Sequence, residues 1–274
     1  MTDKYAVIGN PIAHSKSPLI HQMFAQQTGQ DMSYEAILAP LDGFMATVER
    51  LRKEGYKGCN VTVPFKFEAF KLATELSERA QAAQAVNTLS FDDDIIRGDN
   101  TDGAGLVRDI EHNLGFNLKN KHVLLMGAGG AAYGVALPLL RAVAQLTLAN
   151  RTHSKAEELA SHLRAYGHVG TIKLDSVTAC PQFDCIINAT SVGLTDDLPD
   201  GLPLKNVFAD GALAYDMVYS RPTRFIKLAR KQGARAANGY GMLVEQAAEA
   251  FKIWRGRNLQ LDTASVIQAL KQAT

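Results

Sequence analysis

The sequence predicts an α/β protein made of two α/β domains. In the first part of the chain, short β-rich runs such as YAVIGNP and GCNVTVP alternate with helical patterns such as SPLIHQMFAQQTG and FKFEAFKLATEL. Alternation of this kind predicts a mainly parallel sheet with helices on its faces. It stops at the polar, turn-rich stretch GDNTDGAG and begins again at KHVLLMGAGGAAYG, which predicts a second sheet.

The first predicted domain is discontinuous in sequence. After LAYDMVY, the last β-rich run, the stretches GMLVEQAAEAFKIWRG and DTASVIQALKQ are helical by periodicity, and Asp262 suits the N-cap of the final helix. Because these helices follow a completed sheet, we expect them to pack back against the first domain. The expected boundaries are residues 1–104 with 239–274 for one domain and 105–238 for the other, with a cleft between the two.

Composition and charge exclude several classes of partner. The 274 residues contain 29 Lys and Arg against 28 Asp and Glu, so the sequence has no excess of positive charge of the kind that binds nucleic acid or an anionic membrane. The stretch MTDKYAVIGNP lacks the features of a signal peptide, and no apolar run reaches membrane-spanning length. We therefore expect a cytoplasmic protein with a small-molecule partner. The cysteines Cys59, Cys180 and Cys185 form no C-x-x-C pair, so we expect reduced packing residues and no metal site.

A glycine loop opens the second half. GAGGA follows the strand-like HVLLM and precedes a helical pattern, which is the context of the dinucleotide-binding loop in a Rossmann-type domain. Glycines there permit a tight turn and let the backbone approach a pyrophosphate at a helix N-terminus. Tyr133 stands where the strict G-x-G-x-x-G pattern has its third glycine, so an ordinary turn stays open as an alternative.

The stretch NRTHSK, about 20 residues after the glycine loop, favours NADP over NAD. An NAD enzyme usually has an acidic residue at this point for the ribose 2′-hydroxyl. Here Asn150, Arg151, Thr152 and Lys155 offer two cations and two hydrogen-bonding side chains, and the first acid is Glu157. Such a set would pair with a 2′-phosphate. A solvated loop with a helix cap at Thr152 or Ser154 is the alternative.

Polar clusters in the first half predict a ligand site. HSKSP, NVTVPFK and VNTL lie on strand-to-helix loops, where open α/β sheets bind their ligands, and DNTDG lies at the domain junction. Ser15 and Ser17 at a helix start suit either helix capping or a bound carboxylate. Asn60 and Asn87 would be costly at strand ends unless satisfied, either by a polyhydroxylated ligand or by structural hydrogen bonds.

Lys66 and Asp102 are candidate catalytic residues. A lysine at a helix start is commonly a solvent-facing charge, but in the first turn its charge opposes the helix dipole, which predicts a specific role for Lys66. Asp102 precedes a glycine, which is common turn chemistry. Only a shared cleft with Lys66 would make Asp102 its partner.

Together these motifs resemble the shikimate dehydrogenase family. GNPIAHSKSP, GCNVTVPFK, AVNTL, DNTDGAG, GAGGA, NRT, NATSVG, DMVY and GMLVEQAAEAF occur in the family's order along the whole chain. The resemblance implies a substrate-binding, catalytic first domain and a Rossmann-type NADP-binding second domain. It implies reversible, NADP-linked interconversion of 3-dehydroshikimate and shikimate, in the pathway to chorismate and the aromatic amino acids.

The resemblance also implies roles for individual residues. Lys66 and Asp102 are similar to the family's catalytic pair, while Gln246, Thr62 and Asn87 would hold the substrate hydroxyls. The substrate carboxylate would meet Ser15, Ser17 and Tyr219. In this family DMVY is usually followed soon by a proline, but here Ser220 and Arg221 precede Pro222, which leaves the loop after Tyr219 open.

On the cofactor side, the resemblance implies three contact regions and one further residue. The pyrophosphate would lie on Gly127, Ala128, Gly129, Gly130 and Ala131. The adenosine phosphate would lie on Asn150, Arg151, Thr152 and Lys155. The nicotinamide would lie near Thr190, Met217 and Gly239, and Glu78 would also approach the cofactor.

Two alternative functions stay open from the sequence. One is a quinate/shikimate dehydrogenase of similar fold that also uses NAD. The other is a catalytically silent protein that senses nucleotides on the same scaffold. The sequence also leaves open whether the protein is a monomer or a homodimer, and which of Lys66 and Asp102 makes the final proton transfer.

Overall fold

A computed structural model describes residues 2–190, 206–219 and 223–272, and these residues form two compact units. The first unit contains Met1–Gly105 and Leu243–Ala273, and the second contains Leu106–Met242. The expected loop of Ser220, Arg221 and Pro222 lies outside the described residues. No helix in the described ranges is long and apolar enough to cross a membrane.

The first unit is built on a six-stranded sheet in its described part, with strand order β2-β1-β3-β5-β6-β4. Its strands are β1 Asp3–Gly9, β2 Met32–Leu38, β3 Tyr56–Val61, β4 Glu75–Leu76, β5 Thr88–Asp92 and β6 Ile95–Asp99. Its helices are α1 Ser17–Thr28, α2 Phe44–Lys53, α3 Lys66–Leu72 and α4 Glu78–Ala83, together with α5 Asp102–Arg108, which begins in this unit, and two helices near the end of the chain.

The sheet of the first unit is mixed. β1 pairs in parallel with β2 and β3, and β4 pairs in parallel with β6, whereas β5 runs antiparallel to both β3 and β6. A tight hairpin, in which Asp93 has a φ of 47°, makes β5 and β6 antiparallel. Asp tolerates this left-handed conformation better than most residues, so the turn forms without glycine.

The helix α3 is shorter than helical periodicity predicts. The pattern FKFEAFKLATEL predicts a helix through Leu76, but α3 ends at Leu72. Thr74 instead pairs with β6, because its amide donates to the Ile96 carbonyl at 2.8 Å and its Oγ1 accepts from the Ile96 amide at 2.9 Å. Pairing with a neighbouring strand therefore overrides local periodicity here.

The second unit contains a six-stranded sheet of order β12-β11-β10-β7-β8-β9 in the described residues, with every pair of neighbours parallel. Its strands are β7 His122–Met126, β8 Gln145–Asn150, β9 Val169–Lys173, β10 Phe183–Asn188, β11 Phe208–Asp216 and β12 Arg235–Asn238. Its helices are α6 Gly130–Ala142, α7 His153–Leu163 and α8 Arg224–Lys231, and a π-helical segment Asp109–Asn113 continues α5.

Two long helices follow β12. α9 spans Tyr240–Arg255, so it begins in the second unit and continues into the first, and α10 spans Thr263–Gln272 in the first unit. The N-cap expected for the final helix is confirmed, because Asp262 Oδ1 accepts a hydrogen bond from the Ser265 amide at 3.0 Å. Within the first unit, the Trp254 side chain of α9 donates to the Leu89 carbonyl of β5 at 3.1 Å, which fixes this helix against the sheet.

Candidate active site

Lys66 and Asp102 form a shielded ion pair in the first unit. Lys66 Nζ lies 2.6 Å from Asp102 Oδ2, and the two side chains are only 13% and 7% exposed. Each residue is the first of its helix, α3 and α5 respectively. The helix dipole stabilises the carboxylate of Asp102 and disfavours the ammonium of Lys66, so the pairing offsets an unfavourable position for the lysine. Lys66 is therefore not a solvent-facing surface charge.

Asn87 joins Asp102 to the end of the chain. Its Nδ2 donates to Asp102 Oδ1 at 2.8 Å, and the Oε1 of Gln246 lies 3.3 Å from the same nitrogen. Its Oδ1 accepts from the Thr101 amide at 2.9 Å. Asn87, Thr101 and Asp102 are buried. Four of the residues singled out in the sequence, Lys66, Asn87, Asp102 and Gln246, thus meet in one hydrogen-bonded cluster.

The approach of Gln246 depends on a glycine. A Cβ added at Gly105 of α5 would lie 2.6 Å from the Gln246 amide nitrogen and 2.9 Å from its Cα. These are backbone atoms of α9, which cannot rotate away. Gly105 therefore lets α5 and α9 approach closely enough for Gln246 to reach Asn87.

Asn60 has a structural set of partners. Its Nδ2 donates to the Asn87 carbonyl and to Thr88 Oγ1, both at 3.1 Å, while its Oδ1 accepts from the Tyr34 hydroxyl at 2.7 Å. Both amide hydrogens and the oxygen are used inside the protein. Of the two interpretations open for Asn60, these contacts favour the structural one.

The two serines lie at the start of α1. Ser17 is its first residue and is buried, whereas the N-cap position belongs to Lys16, and Ser15 Oγ accepts from the Ser17 amide at 3.3 Å. Thr62 follows β3, and its amide donates to the Ile8 carbonyl at 2.9 Å. Glu78 is the first residue of α4 in the same unit.

In the second unit, the glycine loop fits a phosphate group. Gly127 has a φ of 119°, a conformation that side chains rarely adopt, and a Cβ there would lie 3.0 Å from the backbone of Ala189. Gly129 holds the N-cap position of α6, and a Cβ there would meet open space. Gly129 is exposed, so the N-terminus of α6 is accessible, and the free amides at a helix N-terminus are suited to an anion. Tyr133, in the place of a third glycine, is buried.

The cationic stretch lies at the end of β8. Asn150 ends the strand, and its Nδ2 donates to the Thr152 carbonyl at 2.9 Å. Arg151, Thr152 and Lys155 are exposed at the start of α7. Thr152 occupies the N-cap position, but among the described atoms its side chain makes no capping hydrogen bond. The exposure of Arg151 and Lys155 agrees both with pairing to a 2′-phosphate and with a solvated loop, so the two interpretations of this stretch stay open.

The residues expected near the nicotinamide lie at the ends of neighbouring strands of the second unit. Thr190 donates through Oγ1 to Asn188 Oδ1 at 2.7 Å. A Cβ placed on Gly239 would lie 2.3 Å from the Met217 carbonyl oxygen, which is well inside van der Waals contact. Only glycine therefore permits this close approach of the two backbone segments. Tyr219 packs against Tyr240, with ring centroids 5.5 Å apart, and burial raises the pKa of the Tyr219 hydroxyl.

Sequence reasoning missed a buried polar network below these residues. Asn188 donates to the Asp216 carboxylate, which also accepts from the Val218 amide at 3.0 Å and from the Thr223 hydroxyl. Burial raises the pKa of Asp216 above its usual value, and the three hydrogen bonds oppose that shift. Asn188 and Asp216 begin the motifs NATSVG and DMVY, so the motifs contained the signal, although no role was assigned to either residue.

Comparison with known proteins decides the family. The family model of the shikimate dehydrogenase substrate binding domain matches residues 7–89, that of shikimate / quinate 5-dehydrogenase matches residues 109–194, and that of the shikimate 5'-dehydrogenase C-terminal domain matches residues 239–271. The chain belongs to the shikimate dehydrogenase family. Its resemblance to that family in sequence motifs is thereby confirmed.

Relatives within the shikimate dehydrogenase family align over the whole chain. The protein named shikimate dehydrogenase (NADP(+)) from Methylobacillus flagellatus is 57% identical, over 99% of this chain and 100% of its own. The protein of the same name from Nitrosospira multiformis is 56% identical, over 100% and 98%.

Solved structures agree with this assignment. The crystal structure of shikimate 5-dehydrogenase from Thermus thermophilus in complex with NADP(H) and shikimate has a TM-score of 0.88 at 32% identity and covers 100% of both chains. An Ael1 enzyme from Pseudomonas putida has a TM-score of 0.90 at 50% identity, over 98% of each chain. The predicted α/β class is thereby confirmed.

Proposed function

We propose that this protein catalyses the reversible, NADP-dependent interconversion of 3-dehydroshikimate and shikimate. The observation that supports this most directly is the ion pair of Lys66 and Asp102, hydrogen-bonded through Asn87 to Gln246. The relatives at 57% and 56% identity are named for this activity and this coenzyme. The first unit would bind the substrate and perform the chemistry, and the second would bind NADP.

Reduction of a ketone places negative charge on its oxygen, and Lys66 is suited to stabilise that charge. An ammonium has three N–H donors, and the bond to Asp102 uses one of them, so others can donate to the substrate oxygen. NADPH, when bound, supplies the hydride. Either Lys66 donates the final proton directly, or Asp102 takes part in that transfer while it holds the lysine in place.

The remaining residues of the first unit would recognise the substrate. Asn87 and Gln246 converge beside the ion pair, and their amides would bind hydroxyls by exchanging some of their present partners within the protein, while Thr62 would contribute a hydroxyl. Ser15 and Ser17, at the start of α1, would hold the carboxylate. Tyr219, from the second unit, is proposed to contact the same carboxylate.

The second unit would hold NADP through its glycine loop and its cationic stretch. The N-terminal amides of α6 would bind the pyrophosphate, and Arg151 and Lys155 would pair with the 2′-phosphate. Thr190, Met217 and Gly239 would lie along the nicotinamide. We also propose that Glu78 approaches the cofactor, and that the protein acts in the cytoplasm as a monomer or homodimer.

The test is absorbance at 340 nm with shikimate or quinate, each combined with NADP or NAD. We expect the highest kcat/KM for shikimate with NADP. Equal or higher kcat/KM for quinate with NAD would instead favour a quinate/shikimate dehydrogenase. If the purified protein binds NADP but oxidises neither substrate, the proposal is wrong, and the nucleotide-sensing alternative replaces it.

A further inference from the structure

Arg79 of α4 binds two carboxylates in the first unit. Its Nε and Nη2 donate to the two oxygens of Asp99, at 2.6 and 3.0 Å, and its Nη1 donates to Glu249 Oε1 at 3.0 Å. Ser77 Oγ donates to the same Asp99 carboxylate at 2.6 Å. One guanidinium therefore joins the end of β6, which contains Asp99, to α9, which contains Glu249.

The Asp99 side leads to the start of α5. Asp99 Oδ1 accepts from the Asn100 amide at 2.7 Å, and Asn100 Oδ1 accepts from the Asp102 amide at 3.1 Å. Asn100 Nδ2 also donates to the Ala85 carbonyl at 2.9 Å. The Asp99 carboxylate is thus one of the contacts that place the backbone of Asp102, and with it the carboxylate that pairs with Lys66.

The Glu249 side leads to the other end of the same cluster. Glu249 lies three residues after Gln246 on α9, so the two side chains share one face of the helix. Gln246 Oε1 lies 3.3 Å from Asn87 Nδ2 and 3.4 Å from Thr101 Oγ1. The contact of Arg79 with Glu249 therefore contributes to the rotation of α9 that presents Gln246 to Asn87.

The ion cluster is shielded enough to hold these positions. The side chains of Arg79, Asp99 and Glu249 are 27%, 14% and 29% exposed. Burial raises the pKa of Asp99, but the hydrogen bonds from Arg79 and Ser77 bring it below its usual value. A bidentate Arg–carboxylate pair in such surroundings keeps a defined geometry, unlike the mobile ion pairs of a protein surface.

We propose that Arg79 is a positioning residue for the reaction. It holds the segment that contains Asp102 and the face of α9 that contains Gln246 in fixed positions relative to each other. The inference rests on the proposed function, because it assigns Asp102 to catalysis and Gln246 to substrate binding. Arg79 itself touches neither reacting group among the described contacts. Its two sides make separate contributions, which different variants can distinguish.

The experiment measures kcat, both KM values and the Kd of shikimate by calorimetry for three variants. Glu249→Gln removes the charge of the α9 side alone and weakens its bond to Arg79, and we expect the Kd and KM of shikimate to rise about three- to tenfold, with kcat within about twofold of wild type. Arg79→Gln breaks both sides, and we expect kcat to fall by about 10- to 100-fold in addition, because Asp102 is displaced. Arg79→Lys keeps the charge and one contact, and should recover part of the loss. The KM of NADP should not change in any of them.

A matched control is Arg97→Gln on β6, two residues before Asp99. Arg97 also pairs with two carboxylates, Glu75 and Asp92, both at 2.9 Å, but its side chain is 47% exposed. This variant should retain wild-type kinetics, which separates positioning from the loss of any ion pair. Thermal unfolding of every variant gives the folded fraction to which rates are normalised.

Two results would overturn the inference. One is wild-type kcat and shikimate Kd in folded Arg79→Gln, or, if that variant does not fold, in both Glu249→Gln and Arg79→Lys. The other is a loss of activity that tracks the folded fraction alone, with no change in shikimate Kd. An inactive wild type would refute the proposed function and this inference with it, whereas an active wild type with unaffected variants refutes the inference alone.

Discussion

Substitution Gly105→Ala tests whether the contact between α5 and α9 positions Gln246, which we propose binds the substrate. The added methyl would lie 2.6 Å from the Gln246 amide nitrogen, 2.7 Å from its Cβ and 2.9 Å from its Cα. Non-bonded carbon atoms prefer separations of about 3.5 to 4.0 Å. Because backbone atoms cannot rotate away, the two helices must move apart by about 1 Å to restore that separation.

The expected cost to stability is modest. Overpacking of this kind typically costs about 1 to 3 kcal/mol, and replacing glycine by alanine inside a helix recovers about 1 kcal/mol. The free energy of unfolding should therefore fall by no more than about 2 kcal/mol. The protein should remain folded under assay conditions.

The cost to activity should be larger. The Asn87–Gln246 contact is already 3.3 Å long, so a displacement of about 1 Å breaks it, and misplacement on this scale can cost up to about 100-fold in rate. We expect kcat/KM for shikimate to fall about 10- to 100-fold with the KM of NADP unchanged. This is measured by absorbance at 340 nm, beside the free energy of unfolding in urea.

Gly170→Ala in β9 is the matched control, because its added methyl would meet Thr147 Oγ1 at 3.5 Å, an ordinary contact. It should leave kcat/KM close to the wild-type value. A folded Gly105→Ala protein with wild-type kcat/KM would show that Gln246 does not depend on this helix contact, and the reasoning would be refuted.

Three further predictions concern charge and pH. Lys66→Ala should lower kcat by about 10² to 10⁴ and spare NADPH binding measured by fluorescence, because it removes both charge stabilisation and proton donation; near-normal kcat would mean that the lysine has no catalytic role. Arg151→Ala should raise the KM of NADP about 10- to 150-fold, most visibly at low salt, and change the KM of NAD by no more than a few-fold. If the KM values of both coenzymes rise equally, Arg151 does not pair with the 2′-phosphate. Burial lowers the pKa of His21 to about 3, whereas this histidine has its ordinary pKa near 6.5 in the unfolded chain. The unfolded chain therefore binds the proton more readily. The free energy of unfolding should fall as the pH drops from about 6.5 towards 3, by up to about 1.4 kcal/mol per pH unit. In His21→Phe, the midpoint of urea unfolding should depend less on pH across that window. If the midpoint changes with pH as much as in the wild type, other groups cause the acid sensitivity.

The sequence by itself was sufficient to predict the two α/β sheets, because strand and helix periodicity are local properties. The same holds for the glycine loop before α6 and for the capping role of Asp262, since short-range backbone geometry requires particular residue types there. The family resemblance pointed to Lys66, Asn87, Asp102 and Gln246, and the structure places them in one cluster. Their roles in the reaction stay predictions.

Tertiary structure alone decided which polar residues meet the ion pair of Lys66 and Asp102 and which pair elsewhere in the fold. Asn60 and Asn87 look alike in sequence, and both amides have partners inside the protein, but those of Asn60 are Tyr34 and Thr88, whereas those of Asn87 include Asp102 and Gln246 of the candidate site. The end of α3 was decided in the same way, by pairing of the following residues with β6. The physical reason is that a hydrogen bond depends on distance in space, and partners such as Asn87 and Gln246, 159 residues apart, are set by helix and sheet packing that no local pattern encodes.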